Sequence, residues 1–463
     1  MKKMTKTQKS VLLVATLTSF LGPFIISSVN IALPDIEHHF DIDAITLSWI
    51  IISYLLSSAI FLLPMGKWAD IKGAKKIFKQ GTIVFVLFTF LCAITNSSII
   101  LIIARFLQGV GAAMLMTTGP AILISEFPIN QRGRVLGLNV AAVYIGLSVG
   151  PVVGGFVTYY IGWQGVFWIS GILGLSVMLV AFLFLGKDEN KSPQSRMDQW
   201  GVLIYMLALS CFVYGSSKIT ILQGQVLIIV GTLLIISFLI YQAKVSYPIF
   251  PIHLFKTNKL FAYSNIAALI NYSATFAIVF LLSLYLQKIQ HYSPKEAGSI
   301  LIAQPIVMAF LSPLAGYLSD RLEPRILASC GMAICSLGLA RLAFLTADTS
   351  TFTIIGTLGF IGLGFALFSS PNMNTIMSSI DKTKSGLASG MVATMRVLGQ
   401  MASVTIASAL FAIFFKNESI EGVADKLFIK GIHYAFLTFA FICGGGIYFS
   451  MSRGKMHNKT IPE

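Results

Sequence analysis

Fourteen stretches of the chain are almost continuously apolar: 11–33, 45–65, 77–95, 99–122, 135–160, 163–185, 200–215, 226–241, 261–286, 297–318, 326–344, 352–376, 386–415 and 432–450. Polar residues fall between them in short charged bursts. A helix of about 20 residues crosses the hydrocarbon core of a bilayer with its backbone groups satisfied internally, so each stretch predicts a spanning helix. The seventh and eighth are the shortest, and both are bounded by polar loops. The expected fold is an all-α membrane protein of fourteen transmembrane helices.

Composition agrees, since only 11% of residues are charged against roughly 25% in soluble domains. The net charge of +15 raises the question of a nucleic-acid partner, and its distribution answers it. With Lys79, at the basic end of the third stretch, counted with its loop, lysine and arginine number 24 in the termini and even-numbered loops, 6 in the odd-numbered loops and 3 inside spans, whereas the acids divide 9 and 9. That is the positive-inside pattern, and it places both termini in the cytoplasm. The basic surplus is topology, with no nucleic acid implied.

The opening "MKKMTKTQKS" could head a signal peptide. The run behind it contains Asn30 and leads into "ALPDI" instead of a small-residue cleavage site, so a retained helix is expected. All five cysteines lie inside apolar spans, without disulfide or metal spacing.

The two longest connections on the basic side, 186–199 and 242–259, bracket the seventh and eighth spans. The division this suggests is a six-helix bundle (1–185), an inserted helix pair with its linkers (186–258) and a second six-helix bundle (259–463). A repeat supports it: Gly66, three residues and Asp70 follow the second span, and Gly316, three residues and Asp320 follow the tenth. Paired halves of this kind place a substrate site between them near the midplane.

Gly146, Gly150, Pro151, Gly154 and Gly155 in "GLSVGPVVGG" (146–155) recur at one-turn spacings, giving the fifth helix a bare face and a proline kink. Such a face admits a second helix at close range, either as ordinary packing or as a seal. In "GKWADIKGAKK" (66–76), between Gly66 and Gly73, Asp70 can cap a helix N-terminus or pair with a basic residue, a contact suited to a latch. In "ARFLQGVGAA" (104–113), Arg105 lies about 13 Å inward from Asn96 at 1.5 Å per residue, close to the midplane. A lipid-facing arginine there costs at least about 2.5–3.5 kcal/mol, so it must face the bundle interior or a watery cavity.

With "SVNIALPDI" (28–36), these stretches resemble the Major Facilitator Superfamily, specifically the fourteen-helix drug:proton antiporters of bacteria, over roughly residues 10–452. The resemblance implies two pseudo-symmetric six-helix bundles, a bacterial cytoplasmic membrane location, a monomer, no enzyme activity and no cofactor beyond the proton gradient. It also implies that the fifth-helix motif seals against the far half, that the Gly66–Gly73 loop and Asp320 form latches, and that Arg105 takes part in proton coupling. Two departures stand out. Ile71 and Ala74 occupy positions where the family carries arginines, leaving Lys72, Lys75, Arg132 or Arg134 as partners for Asp70. Ile25 occupies the position of the family's mid-membrane Asp, so the proton-carrying acid must be sought at span ends: Asp35, the preferred candidate, with Glu37 and Glu126 as alternatives.

Aromatic, amide and methionine side chains suit promiscuous binding because they adapt in shape and offer weak polar contacts. Asn30, Tyr54, Tyr144, Asn271, Tyr272 and Phe276 lie well inside spans, as do Gln304, Phe365, Phe368, Asn372 and Met395. Arg396, beside Gln400, adds a second deep positive charge, which favours neutral, zwitterionic or anionic substrates. The expected function is proton-coupled efflux of varied amphipathic drugs, the alternative being a proton-coupled carrier of one metabolite or metal complex. No GxxxxGK[ST] loop is present to bind a nucleotide.

Overall fold

The computed structural model describes residues 5–186, 197–380, 385–415 and 420–454. These residues form helices and no strands. The first half comprises α1 (Lys6–Phe40), α2 (Ala44–Lys72), α3 (Ala74–Ile94), α4 (Ser98–Glu126), α5 (Ile129–Ile161) and α6 (Gln164–Phe184). Next come α7 (Gln199–Ser217), α8 (Leu222–Gln242) and the short α9 (Ile252–Thr257). The remainder is α10 (Lys259–Thr275), α11 (Ala277–Lys288), α12 (Pro294–Leu301), α13 (Ala303–Arg321), α14 (Pro324–Ala343), α15 (Thr351–Ser378), α16 (Ser385–Phe414) and α17 (Asp425–Ser452). Fourteen segments are long and apolar enough to cross a bilayer, with α10–α11 and α12–α13 each forming one. Fourteen crossings put the start of α1 and the end of α17 on one side, called here the terminal side, opposite the far side.

Local sequence explains where the helices begin. Thr5 and Gln8 form a capping box at α1, Asp43 accepts the Thr46 N–H at α2, and Ser293 with Glu296 caps α12. Gly73 makes the α2–α3 turn at φ 101°, a conformation an L side chain rarely adopts. The first helix departs from expectation: it continues through Pro34 to Phe40, carrying Asp35 and Glu37 onto its last turns.

The ninth and tenth spans are each broken once. The Ala277 N–H donates to Ser403 Oγ of α16 at 3.0 Å, a tertiary acceptor at the α10–α11 break. Pro305, three residues past the α12–α13 break, has no N–H to return to Ile302 or Leu301.

In the first half, α1 packs along α5 and α6, α4 packs along α2 and α3, and α3 packs on α6. In the second, α10 packs along α16 and α17, α15 packs along α13 and α14, and α14 packs on α17, the same set of pairings. The halves meet where α5 lies against α12, α2 against α16, and α1 against α11. The seventh helix packs on α2 and α16, with α8 against its outer side. Asp198 fastens this pair at the terminal side, accepting from the Gly201 N–H at 2.9 Å and from Gln242 Nε2 at 2.6 Å. Tyr205 of α7 donates to the Ala59 carbonyl of α2 at 3.1 Å.

Candidate functional site

Arg105 is fully buried inside the first half. Its Nε donates to the Ile50 carbonyl of α2 at 3.1 Å, and its Nη1 donates to Gln108 Oε1 at 2.5 Å. Gln108 passes the chain on to Thr89 of α3 at 2.6 Å. The guanidinium carbon lies 4.3 Å from the centre of the Tyr54 ring and 5.9 Å from that of Phe167 on α6. Of the two settings open to this arginine, the bundle interior is the one found. One planar cation ties four helices together through carbonyl, amide and aromatic partners, the contacts a guanidinium makes when no carboxylate is near.

The bare face of α5 divides between two neighbours. A β-carbon on Gly150 would lie 2.6 Å from Ser27 Cβ, and one on Gly154 would lie 2.7 Å from Ser28 Cα, with Gly146 facing Phe20 and Phe24. These three glycines bring α5 against α1 in the same half, contrary to a seal against the far half. Gly155 faces the other way, where a β-carbon would lie 3.2 Å from Lys295 Cα. A β-carbon on Gly298 of α12 would in turn lie 3.0 Å from the Pro151 carbonyl carbon. The inter-half contact therefore runs through Gly155 and Pro151.

That contact is one part of a far-side seal. Glu37, buried near the end of α1, accepts the backbone N–H groups of Ile420 and Glu421 in the segment before α17. Gln287 of α11 donates to the Ile31 carbonyl at 3.1 Å. Lys288 donates to the Glu421 carbonyl at 3.0 Å and lies 3.5 Å from Asp425. Removing the carboxyl leaves the Ile420 and Glu421 N–H groups without their acceptor, at about 1–3 kcal/mol each, so Glu37→Ala should raise far-side access by roughly tenfold or more. The check is the labelling rate of Ile31→Cys by a membrane-impermeant maleimide, against the chain without that cysteine. An unchanged rate removes Glu37 from the seal.

Toward the terminal side the halves part. A cavity of about 770 Å³ opens between α5, α13, α15 and α16, and Tyr144, Tyr272, Phe368, Asn372 and Arg396 are among its walls. Tyr144 of α5 and Ser369 of α15 share a hydrogen bond across it. Tyr272 also lines a smaller chamber of about 80 Å³ with Asn30, Phe276, Gln304, Phe365 and Gln400. A groove of about 380 Å³ between α2, α4 and α16 is lined by Gly66, Lys67 and Asp70.

Several expected site residues stand elsewhere. Tyr54 lies under Arg105, and neither Asn271 nor Met395 lines the cavities described, both being packed in the core. Asp70 is exposed, with no hydrogen bond or ion pair to a described residue, so it caps no helix in this state. Lys75, a candidate partner for it, forms an ion pair with Glu126 at 2.5 Å. Asp35 is half-buried beside His38 and makes no hydrogen bond or ion pair to a described residue. The side chains of Asp320, Arg132 and Arg134 lie outside what is described. Sequence reasoning passed over Ser312, Ser369, Ser370 and Asn374, which line the large cavity; the polar run "SSPNMN" inside an apolar span was the available signal.

Comparisons with known proteins bear on this arrangement. The chain is 30% identical to the riboflavin transporter RibZ of Clostridioides difficile, over 88% of each chain. It is 27% identical to the multidrug resistance protein Stp of Mycobacterium tuberculosis, covering 88% of this chain and 77% of that one. It is 26% identical to the methylenomycin A resistance protein of Bacillus subtilis, covering 95% and 92%. Among solved structures, a bacterial homolog of the human lysosomal transporter Spinster superposes with a TM-score of 0.70 at 16% identity, over 97% of this chain and 98% of that one. The Major Facilitator Superfamily model matches residues 15–402 and again 264–460, and the chain belongs to that superfamily of transporters.

Proposed function

We propose that the protein exports structurally varied amphipathic compounds, drugs among them, across the bacterial cytoplasmic membrane in exchange for protons, by alternating access. The observation that carries this reading is the asymmetry between the faces: close inter-half contacts on the far side, and a 770 Å³ cavity between the halves toward the terminal side. The 24 to 6 bias of basic residues supports a cytoplasmic terminal side, and in this reading the described state is the one that loads substrate from inside. The recurrent helix pairings support two bodies, 1–185 and 259–463, that rock about the site as a monomer, with 186–258 inserted. Relatives named for drug resistance support the substrate range. In this scheme the exposed Asp70 engages only when the cytoplasmic side closes, with Gly66 and Gly73 shaping its turn and Asp320 as the counterpart in the second half.

Asp35 is the acid assigned to the proton. Glu126 is held by Lys75 and Glu37 by two N–H groups, whereas Asp35 is half-buried near the seal without such partners. A second reading, a carrier of one metabolite, draws on the relative named as a riboflavin transporter.

Proteoliposomes holding a pH dye and an imposed pH gradient provide the test, with ethidium, a fluoroquinolone, a neutral dye and riboflavin added in turn. Wild type should dissipate the gradient with several of these. Asp35→Asn should move them down their own gradients without moving protons. Proton movement with riboflavin alone favours the single-metabolite reading, and proton movement with none overturns proton-coupled efflux. Coupling retained in Asp35→Asn takes the proton from that residue.

A further inference from the structure

We propose that the large cavity is built for amphipathic organic anions, the charge of the substrate pairing with Arg396; this rests on the export reading. Among the described residues lining the 770 Å³ cavity, Arg396 is the only charged one. It forms no hydrogen bond or ion pair with a described residue, in contrast to Arg105 with its carbonyl and amide partners. Tyr272 lies within reach of its field, and the mutually hydrogen-bonded hydroxyls of Tyr144 and Ser369, with that of Ser370, line the same space. Hydroxyl donors beside a guanidinium are the groups that bind carboxylate, sulfonate or phosphate oxygens.

A second cation stands behind the wall. Arg453, just past the end of α17 and 2% exposed, donates to Asn372 Oδ1 at 2.6 Å and to Ser264 Oγ at 3.3 Å. Burial pushes it down to about 10, against the opposing influence of Glu323, so it stays protonated at neutral pH. Asn372 donates in turn to the Ser264 carbonyl at 3.1 Å, which fixes it as cavity wall. A cation entering here meets the field of Arg396 with no described carboxylate in the lining to offset it. The apolar body of an anion meets Ile145, Phe368, Met373 and Met377. Volumes of about 300–1,000 Å³ suit drug-sized molecules.

The test uses a matched pair of probes, pyrenebutyrate and pyrenebutyl-trimethylammonium, which differ in the sign of the head group. Binding to the purified full chain is read by tryptophan-to-pyrene energy transfer, and transport in proteoliposomes under a pH gradient. Wild type should bind the anion at least about tenfold more tightly than the cation, the discrimination that like-charge juxtaposition imposes. Arg396→Lys should keep that order, and Arg396→Gln should erase it. A thermal midpoint near wild type shows that each variant is folded. Equal or tighter cation binding by wild type, or anion preference surviving in folded Arg396→Gln, overturns the inference. Transport of ethidium with exclusion of pyrenebutyrate would also overturn it while leaving efflux intact. Arg396-dependent anion binding without transport of any probe would support the anion site and defeat the efflux reading.

Discussion

Gly155→Leu abolishes transport while leaving the first half folded. A side chain at 155 meets backbone, since its β-carbon would lie 3.1 Å from the Pro294 carbonyl carbon and closer still to the oxygen. Backbone on a neighbouring helix cannot rotate out of the way as a side chain can. Overpacking of this kind costs about 1–3 kcal/mol, which shifts the balance between closed and open far side by about fivefold to a hundredfold or more. The nearest atoms to that β-carbon all belong to α12, so α1, α5 and α6 should keep their packing. Gly154→Leu is the contrast: its side chain would enter α1 at Ser28 and should prevent folding of the half itself. Spin labels at positions 41 and 421 report the outcome, with a longer distance expected in Gly155→Leu. A wild-type distance with full transport would show that α5 and α12 need not touch.

Arg105→Ala lowers the thermal midpoint in detergent and abolishes transport. Truncation empties the volume between α2, α3, α4 and α6 and deprives Gln108 of its donor, together about 2–4 kcal/mol. Arg105→Lys should fail to rescue it. An ammonium cannot lie flat on Tyr54 while donating in two fixed directions to Ile50 and Gln108. Rescue by lysine would defeat this planar account. A stable but inactive Arg105→Ala would mean that the residue acts in coupling and not in holding the helices together.

The spans were legible because lipid imposes a length and a polarity that sequence displays directly. The break at Ala277 was not, because the segment around it reads as a continuous helix and the competing acceptor, Ser403, comes from another span. The break before Pro305 carried its signal openly. For the site, spacing showed that α5 has a bare face, but a period cannot name the neighbour. Gly155 lies about 100° around the helix from Gly154, and that rotation exchanges α1 for α12. The Glu37 contact was hidden for the same reason, its partners being backbone groups 383 and 384 residues away. Tyr54 reads as a cavity wall in the sequence because an aromatic under a buried guanidinium and one facing a substrate look alike in a string of letters.

The seventh helix touches α2 and α16, one from each half, and in the proposed cycle these move apart. No rigid rod can stay docked on two bodies that separate, so α7 must release one of them. The Tyr205 hydrogen bond to Ala59 holds it to α2, and the surface it leaves is that of α16. Acyl chains are as apolar as the side chains they would replace there, so the exchange has little free-energy consequence. In that cycle the inserted pair travels with the first half, and lipid fills and leaves the seam beside α16 without resisting the motion.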